Sequence, residues 1–378
     1  MILEMFRKGN FSTYQVAKEL VLSSGGAKKL VDDIALGGII KRVASMRESR
    51  RGRMPLTYGL NPNYCSIVVI NFANCSITLF DLCGNVIDNA ELETCESIRD
   101  SHIYDTARLL HEMLEKEDNK KYSLAAISIV YLGKLHENTC ENYFSGMFEH
   151  CTINLYQYFT KEFNVEVIVR NDLHFAIFAE RQHGVLTGLE TSCCYMQIGR
   201  GCACSFLIND KLYVGASGLA GEIGHNTIIG GKGVLENYID WFSAKERIRQ
   251  SLARSQGSAL HKENFSREDA VAAYKNGDPV VCSVIDEMAR NAGIMLKNLT
   301  ELIDFDVFIL SGPMVEFGIR YYRILTETFF KFGYQHVKVV VSTLGERSIE
   351  LGAFEFARDM IFKRFVESRL NQSETQKK

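Results

Sequence analysis

The chain is poor in the residues that interrupt a fold, with four prolines and one tryptophan among 378 residues. With no low-complexity run either, little room is left for a disordered linker. No apolar run approaches the roughly 20 residues that span a bilayer, so no membrane role is expected. The opening MILEMFRKGNFSTY lacks the uninterrupted apolar core and small-residue cleavage site of a secretory leader, and a cytoplasmic protein is expected. Cysteine is not scarce, but its eleven copies are odd in number and scattered through apolar stretches such as Cys193 and Cys194. They read as reduced, mostly buried thiols rather than a disulfide framework. Cys202 and Cys204 form a C-x-C with no second ligand pair, and read as alternate residues of a strand rather than a metal site.

Acidic residues are scarce in one region only. Residues 1–63 carry eleven Lys or Arg against five Asp or Glu, a net +6, which leaves −9 for the rest of a chain of formal charge −3. A basic head on an acidic body points to a module that faces nucleic acid. The length implies two or three structural units, and 46% hydrophobic with 24% charged residues is ordinary for a globular protein.

The head has a readable pattern. Ser12 and Gln15 form a capping box, and Val16, Ala17 and Leu20 give the apolar face of a short helix. A turn at Val21–Leu22–Ser23 leads to a second helix, capped by Ser23 or Ser24, with Leu30, Val31, Ile34 and Ala35 on its buried stripe. Gly37–Gly38 ends it and Ile39–Ile40 begins a strand. The segment SMRESRRGRMPLTYGLN (45–61) reads as a hairpin wing. The expectation is a winged helix-turn-helix over residues 1–62, whose second helix presents Ser24, Lys28 and Lys29 to a DNA major groove. Arg50, Arg51 and Arg53 would reach phosphate or the minor groove from the wing. Gly25 and Gly26 would each cost about 1 kcal/mol in a helix interior, less in its first turn. Asp32 and Asp33 should face away from phosphate. The alternative is a small helical cap packed on the body.

From residue 66 the chain repeats itself. SIVVINFANCSITLFDLCGNVIDNAEL (66–92) reads as three strands with a turn at Gly84–Asn85, followed by a helix near 100–117 and a buried strand at 124–133. CCYMQIGRGCACSFLINDKLYVG (193–215) starts a second round of three strands with a turn at Asn209–Asp210. Helix–strand alternation continues through 280–365, and the class is α/β.

Two segments carry chemistry. GASGLAGEIGH (215–225) combines glycines, which let backbone approach a ligand closely, with Glu222 and His225. IVRNDLHFAIFAE (168–180) is a strand ending in Asn171 and Asp172 and followed by an apolar helix. Together they resemble the sugar-binding signature of the ROK family, the repressors, open reading frames and kinases of sugar metabolism. The internal echo is similar to the duplicated RNase H-like (actin-like) fold of that family. The resemblance implies one lobe over 64–172, completed by a C-terminal helix at 355–372, and a second over 173–354. It implies a sugar site of Asn171, Asp172, Glu222, His225, Glu236 and Gly133, with Leu132 where the family has proline.

The same resemblance exposes what has been lost. The family's Asp-x-Gly-x-Thr phosphate turn reads here Asn71, Ala73, Cys75, and its Gly-Thr-Gly-x-Gly turn reads Gly199, Arg200, Gly201, Cys202, Ala203. LSGPMVEFG (310–318) matches the third nucleotide element better. ATP is therefore expected not to bind, and Asp172, the base in an active kinase, has no catalytic role. The family's zinc motif places three cysteines after the histidine; NTIIGGKGVLENY follows His225 with none, so no zinc and no other cofactor is expected. The implied function is a sugar-responsive transcriptional regulator of carbohydrate metabolism, a repressor binding operator DNA as a homodimer or dimer of dimers. The alternatives are a hexose kinase and a regulator controlled by a protein partner.

Overall fold

A computed structural model describes residues 2–43, 56–94, 97–136, 139–140, 142–144, 147–188, 191–227, 233–254, 257–258, 260 and 264–375. Along the chain, α1 (Ile2–Lys8), β1 (Phe11–Ser12), α2 (Thr13–Glu19) and α3 (Ser24–Leu36) precede β2 (Ile40–Val43) and β3 (Thr57–Leu60). There follow β4 (Ser66–Asn71), β5 (Ser76–Asp81), β6 (Val86–Glu91), α4 (Asp100–Leu114), β7 (Leu124–Tyr131), β8 (Lys134–Leu135), β9 (Asn142–Phe144), α5 (Leu155–Phe163) and β10 (Glu166–Asn171). Then come α6 (Asp172–His183), β11 (Cys193–Ile198), β12 (Cys202–Ile208), β13 (Lys211–Tyr213), α7 (Trp241–Arg254), α8 (Arg267–Lys275) and α9 (Pro279–Leu302). The chain closes with β14 (Val307–Ser311), α10 (Ile319–Phe330), β15 (Lys338–Val341) and α11 (Arg347–Thr375).

The chain divides into two compact units. The first comprises Met1–Leu132, Phe144–Arg170 and Ala353–Lys378, the second Gly133–Tyr143 and Asn171–Gly352. Each has its own five-stranded sheet, in the orders β10-β7-β4-β5-β6 and β15-β14-β11-β12-β13. In both, the opening strand pairs antiparallel with the next and parallel with a later one on its other side (β4 with β5 and β7, β11 with β12 and β14). The echo in the sequence is thus a repeat of topology. β4 is buried along its whole length, as its unbroken apolar run requires for a strand covered on both faces.

In the first unit, the head is built as its caps dictate. The Ser12 hydroxyl accepts from the Gln15 amide while the Gln15 side chain accepts from the Ser12 amide, fixing the start of α2. Ser23 caps α3 by accepting from the Gly26 amide at 3.1 Å, which places both glycines in the first turn. Ala27, Val31 and Ile34 are the buried stripe of α3, with Leu30 and Ala35 only half-buried. Val21 turns the chain between the helices at φ +53, an unfavourable region for a β-branched residue. β1, β3 and β2 form a three-stranded sheet beside them.

Helix α1 was not expected from the sequence. It buries Leu3, Met5 and Phe6, and it also buries Arg7. The Arg7 guanidinium lies 3.0 Å from Glu4, 3.6 Å from Glu355 and 3.5 Å from Asp359, the last two on α11. One of the eleven basic residues of the head is therefore an internal ion-pair partner, a correction to the count of charges available outside. The far end of α3 also meets α11. A Cβ on Gly37 would lie 2.5 Å from the Phe365 ring, and Arg369 donates to the Asp33 carbonyl at 2.9 Å. Tyr58 donates to Asp32 at 3.3 Å. Both acids of α3 thus have contacts within the unit.

Candidate functional site

All six residues singled out for hydroxyl binding belong to the second unit. Asn171 is the N-cap of α6: its carbonyl oxygen accepts from the Leu173 amide at 2.9 Å, and its Nδ2 donates to the Gly133 carbonyl at 3.1 Å. This bond is what joins Gly133, at φ +124, to the start of α6. Asp172 Oδ1 accepts from the same Leu173 amide at 3.0 Å. The carboxylate also accepts from its own backbone amide. Burial pushes the Asp172 carboxyl up to about 6, and the neighbouring negative charge of Glu222 adds to this, against the pull of the Leu173 amide.

The loop carrying Glu222 is seated on β12. A Cβ on Gly221, at φ +96, would lie 2.0 Å from the Cys204 carbonyl oxygen, and one on Gly224 would lie 2.3 Å from that of Cys202. The Cys204 amide donates to the Gly221 carbonyl at 2.8 Å. These two glycines serve contact between backbones rather than approach of a ligand, a correction to the sequence reading. The loop then closes in a 3-10 turn, Ile223–His225, with His225 exposed at its end. Glu236 sits on a second such turn, Leu235–Tyr238. Its Oε2 is 3.0 Å from the Cβ positions of both Gly201 and Gly224, so the carboxylate lies between the Gly-Arg-Gly turn and the Glu-x-Gly-His loop. Asp172 and Glu222 share one electrostatic neighbourhood, and Glu236 abuts the backbone two residues beyond Glu222. Carboxylates gathered beside a side-chain amide suit a ligand rich in hydroxyl donors.

The turns that would grip phosphate have different structures. In the first unit, the buried Asn71 side chain accepts from the Ala73 amide at 3.0 Å and the Asn74 amide at 3.3 Å. Two amides that an anion would need are already bonded, and Phe72 is buried against Phe148, ring to ring at 5.4 Å. In the second unit, the Gly199 amide donates to the Gly201 carbonyl at 2.8 Å, making a tight turn with Arg200 at its apex. The segment 310–318 borders a pocket of about 280 Å³, with Tyr195, Ser311, Gly312, Ser342 and Ser348 in its wall. Its lining includes Glu316 and Glu346 and no lysine or arginine. Two carboxylates and no cation in that wall disfavour a triphosphate there.

The donors for zinc do not fit. No cysteine follows His225 within the next thirteen residues, and Cys202 and Cys204 lie in the hydrophobic core. Among the described residues no three His, Cys, Asp or Glu side chains gather as metal ligands.

In the head, Ser24, Lys28 and Lys29 are all exposed on α3. Arg50, Arg51 and Arg53 lie outside the described residues. Sequence reasoning missed one pairing, the stack of Arg200 on Phe242, because residues forty-two apart carry no periodic signal.

The family model for ROK matches residues 72–360. The chain belongs to the ROK family. It is 24% identical over 365 residues to the xylose repressor of Caldicellulosiruptor bescii, covering 90% of each chain. Among solved structures it is similar to a ROK family transcriptional regulator, a homolog of the E. coli MLC protein, at TM-score 0.78 and 18% identity, covering 94% of this chain and 95% of that one. It also matches a ROK family glucokinase from Streptomyces griseus, solved with glucose and AMPPNP, at TM-score 0.63 and 20% identity, covering 78% of this chain and 99% of the other. A share of 94% cannot be reached without most of the residues before 72; a share of 78% can.

Proposed function

We propose that the chain is a sugar-responsive transcriptional regulator, a repressor of carbohydrate genes without kinase activity. Residues 1–62 are read as its winged helix-turn-helix. The observation that carries this reading is α3, which buries its apolar stripe and leaves Ser24, Lys28 and Lys29 exposed next to a glycine-opened first turn. A side chain at 25 would meet nothing within 4 Å, so the fold itself gives no reason for glycine there. A close approach to base edges would. The 90% coverage of a xylose repressor supports the same reading. The amides consumed by Asn71 argue against the glucokinase alternative.

On this reading Asn171, Asp172, Glu222, His225, Glu236 and Gly133 hold a sugar, with no zinc or nucleotide. Sugar acts through a difference in affinity between DNA-competent and incompetent states. A dimer or dimer of dimers in the cytoplasm would read half-sites about one DNA turn apart. The test is fluorescence anisotropy of a duplex from the region upstream of the gene, with the full chain. Binding should fall with salt and shift with one sugar. Lys28→Ala should weaken it and lower the salt slope by about one. Hexose-dependent release of ADP in a coupled assay would overturn the reading in favour of the kinase.

A further inference from the structure

The Gly199–Gly201 turn holds a cation that the hydroxyl site does not use. Both glycines are sterically fixed: a Cβ on Gly199 would lie 2.8 Å from Pro313 Cδ, and one on Gly201 3.0 Å from Glu236 Oε2. The Gly199 amide is bonded to the Gly201 carbonyl, and the Gly199 carbonyl accepts from the Trp241 amide at 2.9 Å. The apex residue, Arg200, is therefore held on a rigid backbone, one residue from the Glu236 carboxylate. Its guanidinium lies over the Phe242 ring, 5.6 Å from the centroid. Phe242 itself is 54% exposed, and Arg200 is exposed and makes no ion pair among the described residues.

An arginine stacked on an aromatic face keeps its edge donors free and in one plane, the geometry that suits bidentate capture of an oxyanion. Several exposed arginines among the described residues are paired with carboxylates, for example Arg108 with Asp105 and Glu112, and Arg364 with Glu166. Arg200 is not. Glu236 would repel an anion on its own side of Gly201, so a negative group is favoured only on the Arg200 side. We infer that Arg200 and Phe242 form a subsite for the anionic substituent of a sugar, a phosphate ester or a carboxylate, whose hydroxyls are held by Asp172, Glu222 and Glu236. This rests on the sugar-binding reading above and narrows its ligand class.

The test is calorimetry on the full chain with glucose, N-acetylglucosamine and xylose, their phosphate esters, and glucuronate. At least one phosphate ester or the uronate should bind about 10- to 100-fold more tightly than its neutral parent, the size of one or two charge-assisted hydrogen bonds. The ester and the uronate compared against each other identify which anion is preferred. Arg200→Gln should remove that advantage and leave the neutral sugar unchanged, while Arg200→Lys should restore part of it. Glu236→Gln should weaken neutral and anionic sugars alike. Equal affinity for a neutral sugar and its ester, unaltered in Arg200→Gln, would overturn the subsite and leave the sugar site standing. Silence from every neutral and anionic sugar would overturn both.

Discussion

Each unit opens its sheet with an antiparallel hairpin, and the two hairpin turns have taken opposite courses. Between β4 and β5 the turn is closed by its own side chain, with Asn71 occupying the amides of Ala73 and Asn74. Between β11 and β12 the turn keeps two glycines, stays tight through its own backbone bond, and displays an arginine at its apex. A backbone amide bonded to a neighbouring side chain is not available to phosphate, so the first turn has become structural. The second has kept a rigid backbone against which Glu236 is placed. One fold repeat thus holds the candidate ligand chemistry, and in the other the equivalent turn bonds its amides to its own side chain.

The largest effect should come from the loop packed on β12. Gly221→Ala puts a methyl 2.0 Å from a carbonyl oxygen at positive φ, and should destabilise the protein by roughly 3 kcal/mol or more in urea unfolding. Sugar binding should be lost with it. A neutral outcome would mean that the loop does not seat on β12 as described.

Next comes Asp172. Its carboxyl titrates at about 6 rather than near 3.8, so its ionised form is a burden on the folded state that is fully present above about pH 6 and absent below about pH 4. Asp172→Asn should therefore raise stability at pH 7 by about 1–3 kcal/mol, with the gain vanishing by pH 4. The wild-type protein should lose sugar affinity as pH falls through 6. A midpoint near 4 in that titration would remove the case for a raised carboxyl beside Glu222.

Smaller still is Asn71→Ala. It frees two turn amides and should cost about 1–2 kcal/mol in thermal unfolding. ATP affinity should not return, since Phe72 and the lost acid remain. Recovery of nucleotide binding would show that Asn71 alone had closed the turn.

Much of this was legible in the chain. The caps at Ser12 and Ser23, the strands from Ser66 to Glu91 and Cys193 to Tyr213, and the break at Asn171–Asp172 rest on local patterns, and the elements form where those patterns lie. Helix α1 was missed because its apolar residues pack beside a buried arginine, whose carboxylate partners lie some 350 residues away on α11. The glycines of the Glu-x-Gly-His loop were read for the wrong contact. A sequence shows that a Cβ is missing, but only the fold shows that the space is taken by β12. Arg200 was named as a departure from a pattern; its stacking on Phe242 required the fold.

The central claim is that hydroxyl recognition persists where triphosphate recognition has gone. Calorimetry on one preparation of the full chain, titrated in parallel with Mg–ATP and with the sugar series, tests it most directly. A saturable heat with at least one sugar and none with millimolar Mg–ATP is predicted; saturable Mg–ATP binding with no response to any sugar would contradict it.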